Sequence, residues 1–240
     1  NNLPFSIQWN WFTCAGYTFT GGVLLNNVSS LMLLLVTFIS FIIHSYSTAY
    51  MAGDSDFRQY FAMLGFFTFS MLGIVIADNL LLLFIFWELV GFSSYMLIGH
   101  WREKPEAADA AKRAFLYNRV GDIGFLIGLM ILWTHTGSFD LMDLGSLSGD
   151  LPWRTAASLC VFCGVIGKSA QFPLFSWLPD AMEGPTPVSA LIHAATMVAA
   201  GIFLLARVYF IFTPFALDIV IITGMLTSVA GALSALVQHD

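Results

Sequence analysis

Glu88, Lys168 and His193 each lie inside long runs of apolar residues, and Arg119 with Asp122 shares another such run. An ionisable side chain at membrane depth is costly and by default marks a functional path. Glu88 sits between Phe84-Ile85-Phe86-Trp87 and Leu89-Val90-Gly91, with no local partner. It lies ten residues past Asp78, about 15 Å into a core of ~30 Å at 1.5 Å per helical residue. Lys168 is its natural cation. Arg119 and Asp122, at i,i+3, share a helix face and can neutralise one another, leaving them to tune the Glu88–Lys168 pair. His193, in Ser189-Ala190-Leu191-Ile192-His193-Ala194-Ala195-Thr196, has small neighbours that admit close packing and water. An imidazole exchanges protons near neutrality. A carboxyl, an ammonium and an imidazole in series can therefore hold and pass protons.

Each residue also has a plainer account. Glu88 could hydrogen-bond a neighbouring helix for structure alone, Lys168 could snorkel outward, and His193 could be a satisfied core imidazole. Asp78, at a turn, could cap a helix. Other patterns carry less. Gly164-Val165-Ile166-Gly167-Lys168-Ser169 has the wrong spacing for a phosphate-binding loop and no preceding strand, which excludes nucleotide binding there. Cys160 and Cys163 form CxxC within an apolar helix, too few ligands for zinc or an iron–sulfur cluster, and read as packing residues with Cys14 apart. Pro173 and Pro179 follow Lys168 and break its helix. A broken helix beside a buried lysine is an arrangement used for ion sites in transporters.

The elements that must position these residues follow from composition. Of 240 residues, 58% are hydrophobic and 10% charged, and mean hydropathy is +0.80, an apolar excess foreign to a soluble domain. Apolar runs of about 20 residues match transmembrane helices rather than alternating barrel strands. Seven segments are expected, at about 23–50, 59–77, 80–99, 108–134, 155–177, 186–212 and 216–237. The fold class is thus all-α, a polytopic membrane helix bundle with one broken helix. Residues 1–22 suit an external interfacial segment or hairpin, and 135–153 form the longest loop. Alternate loops gather Arg58, Arg102, Lys104, Lys112 and Arg113 on one side, leaving Arg154 and Arg207 on the other. The positive-inside rule places the richer set in the cytoplasm, with His239 and Asp240 returning there. The net charge of −6 and the lack of a basic patch exclude nucleic acid as a partner. The chain has no initiator Met and ends just after an apolar run, so it reads as an internal piece of a longer protein.

Asp78-Asn79-Leu80-Leu81-Leu82, Phe86-Trp87-Glu88-Leu89-Val90-Gly91, Asn118-Arg119-Val120-Gly121-Asp122 and Gly167-Lys168-Ser169-Ala170-Gln171-Phe172-Pro173-Leu174 occur in order, followed by the run from Trp177 to Gly201. Together they resemble the largest antiporter-like membrane subunit, chain L, of proton-translocating NADH:quinone oxidoreductase, the respiratory complex I. The resemblance covers nearly the whole chain. It implies a first five-helix antiporter-like repeat over 59–212, a helix and cytoplasmic loop over 23–58, and the first helix of a second repeat over 213–240. It implies Glu88, Lys168 and His193 as the proton path and Arg119 with Asp122 as a tuning pair. NADH, FMN, iron–sulfur clusters and quinone would bind other subunits, this chain carrying no cofactor. Its partners would be the other membrane subunits, above all the adjacent antiporter-like one, with lipid. The location would be a bacterial cytoplasmic membrane ahead of the mitochondrial inner membrane. Rival readings are an Mrp-type cation/proton antiporter subunit, a membrane-bound hydrogenase subunit, and a scaffold whose buried charges only fix packing.

Overall fold

The computed structural model describes residues 4–14, 16–147, 149 and 151–237. Asn1–Leu3, His239 and Asp240 lie outside them. The chain opens with strands β1 (Phe5–Cys14) and β2 (Tyr17–Leu25), an antiparallel hairpin turned at Gly16 with φ +84°. Helix α1 (Asn27–Tyr50) follows, started by a reciprocal cap between Asn26 and Ser29. Next come α2 (Phe57–Ile76), α3 (Leu80–Ile98) and the long α4 (Pro105–Thr136). Asn79, rather than Asp78, caps α3, accepting from the Leu82 amide. Proline opens α4 without wasting an amide, and Gly137 closes it in a left-handed conformation.

The short α5 (Leu141–Leu144) leads to α6 (Pro152–Lys168), α7 (Trp177–Asp180), α8 (Thr186–Ala194), α9 (Met197–Arg207) and α10 (Pro214–Ala235). Among the described residues, six helices or helix pairs are long and apolar enough to cross a membrane. The expected seventh, 155–177, is helical only to Lys168. The reason lies in Pro173, whose ring forbids helical backbone just before it and clashes with the carbonyl of Ser169. A second interruption was not expected. The span 186–207 breaks at Ala195–Thr196, two residues past His193, so the described residues hold two broken helices rather than the one expected.

The hairpin caps one end of the bundle. Phe12, Phe19, Trp133 and Phe139 stack in sequence at 4.6, 5.5 and 4.6 Å between ring centres, tying both strands to the end of α4. Arg207 donates to the carbonyls of Val75, Ala77 and Leu24, and Arg154 to those of Gly149, Phe210 and Ile211. Both arginines at this end are thus consumed in satisfying helix-end and loop carbonyls. At the opposite end Asp54 accepts from Trp101 Nε1 at 3.1 Å, from the Asp56 amide at 2.8 Å, and lies 3.3 Å from His100 Nε2, joining the α1–α2 loop to the end of α3.

Candidate functional site

The close approach of α4 and α6 creates the site. A Cβ added at Gly121 would lie 2.7 Å from the Cys163 carbonyl oxygen, and one at Gly128 would lie 2.8 Å from Val161 Cγ2. Only bare backbone fits, as in close-packed membrane helices. That contact seats Asp122, beside Gly121, against Lys168 at the last turn of α6. Past Lys168 the chain unwinds, yet its path is held. Ser169 Oγ donates to the Val198 carbonyl at 2.7 Å, and Trp177 Nε1 donates to the Gly167 carbonyl at 3.1 Å.

Lys168 is wholly buried. Its Nζ stands 3.6 Å from Asp122 Oδ2, an ion pair just beyond hydrogen-bond length, and 5.8 Å from the centre of the Trp87 ring. The second carboxylate oxygen, Oδ1, accepts a 2.6 Å hydrogen bond from Trp87 Nε1. Gly91 supplies the remaining room, since a Cβ there would meet Nζ at 2.6 Å.

The expected partners are exchanged. Glu88 on α3 pairs with Arg119 on α4, not with Lys168, and Arg119 does not neutralise Asp122. The cause is packing. Glu88 turns toward the α3–α4 seam, where its side chain keeps 23% exposure and Arg119 keeps 36%. The glycine contact meanwhile brings α6 within reach of Asp122. The result is a row of alternating sign, Glu88, Arg119, Asp122, Lys168, laid across α3, α4 and α6. Its middle members are one helical turn apart. His193 on α8 is half-buried, and neither ring nitrogen has a partner among the described residues. The same holds for Ser189 Oγ one turn earlier on that helix. Buried polar atoms of this kind are met by water.

Trp87 and Gly91 escaped the sequence reading, although each stands within a turn of Glu88 on the same helix. The only available signal was an aromatic donor and a residue without a side chain beside a buried carboxylate.

An unwound helix ending in a buried lysine, packed on a helix that supplies its carboxylate, is an arrangement suited to an ion site in a membrane helix bundle. A family model described as NADH:quinone oxidoreductase/Mrp antiporter, TM, matches residues 77–240, and one described as NADH-Ubiquinone oxidoreductase (complex I), chain 5 N-terminus, matches residues 11–61. The chain belongs to this NADH:quinone oxidoreductase/Mrp antiporter family. Chloroplastic NAD(P)H-quinone oxidoreductase subunit 5 of Draba nemorosa is 48% identical over 242 residues, covering 97% of this chain and 32% of the relative. That of Marchantia polymorpha is 47% identical over 242 residues, covering 97% and 35%. The chain thus spans about a third of the length of these relatives. The structure of an Mrp complex from Dietzia sp. superposes with a TM-score of 0.79 at 30% identity, covering 87% of this chain and 23% of that one.

Proposed function

We propose that the chain is the proton-translocating part of an antiporter-like membrane subunit of NADH:quinone oxidoreductase. The observation that carries this reading is the buried Lys168–Asp122 ion pair at the unwound end of α6. A carboxylate facing a buried ammonium favours its protonated form against the cost of burial. Asp122 has an alternative partner in Arg119, one turn away, once Glu88 lets Arg119 go. When Asp122 turns away, Lys168 loses its counter-charge and releases its proton through water to His193. In this reading α2, α3, α4, α6 with α7, and α8 with α9 form the first five-helix repeat, 59–212, and α10 opens the second. Quinone reduction in neighbouring subunits drives the cycle, this chain holding no redox cofactor, and the adjacent antiporter-like subunit is its nearest partner. The greater identity to quinone oxidoreductase subunits, 48% against 30% for the Mrp structure, favours this assignment over a stand-alone antiporter.

The membrane we propose is a bacterial cytoplasmic one. The chloroplastic relatives favour a second reading, a photosynthetic membrane, and fractionation of the native membranes separates the two. The function is tested by Lys168→Ala in the full protein within its complex. Proton pumping per quinone reduced should fall to near zero while electron input to an artificial acceptor persists. Pumping at the wild-type ratio would remove Lys168 from the path, and a sodium requirement would move the assignment to the antiporters.

A further inference from the structure

Resting on the reading above, we infer that Trp87 is a positioning residue for proton translocation: its indole N–H holds Asp122 on the Lys168 side and away from Arg119. A buried indole N–H usually finds an acceptor. Here the acceptor is the one carboxylate that pairs with the buried lysine, at 2.6 Å. Trp87 itself is wholly buried. Its ring meets Phe125 of α4 edge-on at 5.5 Å, and Phe125 in turn meets Phe84 at 5.3 Å, so aromatic rings pack the indole in place.

The consequence concerns direction. Asp122 has two cations within reach, Lys168 across the helix interface and Arg119 one turn back on α4. With Oδ1 fixed by Trp87, Oδ2 is aimed at Nζ. Nζ stands over the face of the same ring at 5.8 Å from its centre, so Trp87 neighbours both members of the pair. Its bond to Oδ1 does not depend on whether Lys168 carries its proton. It therefore sets how readily Asp122 leaves for Arg119 after Lys168 is discharged, and how promptly it returns. Glu88, the next residue on α3, holds Arg119. Two consecutive residues of α3 thus keep Arg119 and Asp122 of α4 apart.

The test is a double-mutant cycle on proton pumping in the assembled complex, with Trp87→Phe, Asp122→Asn and both together. Phenylalanine keeps an aromatic ring and removes the donor. Trp87→Phe should slow proton transfer about tenfold, the scale of one hydrogen bond to a charged group. In the Asp122→Asn background the same change should add little, because the interaction it removes is already altered. Independent, multiplicative effects, or wild-type pumping by Trp87→Phe, would overturn the assignment. Should Trp87→Phe fail to assemble, 3-benzothienylalanine incorporated at position 87 keeps the shape of tryptophan without its N–H, and the same slowing is expected. If Lys168→Ala pumps normally, the underlying transport reading fails. If Lys168 is required but the cycle is additive, only the role of Trp87 fails.

Discussion

Lys168 Nζ lies 3.6 Å from Asp122 Oδ2, while Glu88 pairs with Arg119. The counter-charge of the buried lysine therefore comes from the helix packed closest to it. The carboxylate with the most apolar sequence surroundings serves another cation, at a seam with partial access to the outside.

Asp122→Asn should impair pumping more than Glu88→Gln, because it leaves a fully buried ammonium without an anion. Removing one partner of a buried pair costs about 3–5 kcal/mol, so assembly should fall as well. Pumping per assembled complex, measured side by side for the two variants, checks the order. A more severe Glu88→Gln would put the control at the seam instead.

Gly91→Ala should displace the Lys168 ammonium, since the new methyl would stand 2.6 Å from Nζ. Gly65→Ala on α2 is the matched control, with nothing within 4 Å of the added carbon. The control gains helix propensity of about 1 kcal/mol and should pump normally. Equal pumping by both variants would show that the ammonium has room to move.

Gly121→Ala should separate α4 from α6 and lower stability by about 1–3 kcal/mol, the usual cost of overpacking. The added carbon would meet the Cys163 carbonyl oxygen at 2.7 Å and the Gly167 Cα at 3.0 Å, both backbone atoms that cannot swing aside. Thermal stability of the purified complex measures this, and an unchanged melting temperature would contradict the close contact.

Asp54 gives the α1–α2 loop a pH dependence. Burial alone would raise its carboxyl, but bonds from the Asp56 amide, Trp101 and His100 outweigh burial and hold it below the ordinary 3.8. A depressed carboxylate contributes stability that is present above its unfolded pKa and lost as pH falls through the folded one. Amide protection over 51–57 should thus weaken below about pH 4 in the wild type. In Asp54→Asn it should already be weaker at neutral pH and change little on acidification. Parallel curves for the two proteins would show that the carboxylate does not hold the loop.

Much of this was legible in the linear chain. The membrane class follows from apolar runs longer than any soluble core helix needs, and the break after Lys168 follows from Pro173. The Asp78 turn and the ionisable residues within apolar runs are local or periodic features of the same kind. Family membership follows from motifs that are contiguous along the chain. Partnership between charges is not a local property. Which carboxylate meets Lys168 depends on how near two helices come, and Gly121, Gly124 and Gly128 set that distance only because they face α6. The break at Ala195–Thr196 has no proline or glycine to announce it, and Trp87 became a hydrogen-bond donor to Asp122 only once α3 and α4 were side by side. Sequence by itself determined which ionisable residues lie within membrane-spanning runs, because the length needed to cross a bilayer is read directly from the apolar stretch. Tertiary packing alone decided who faces whom, because side-chain reach is a few ångströms and helix separation is set by contacts distant in the chain.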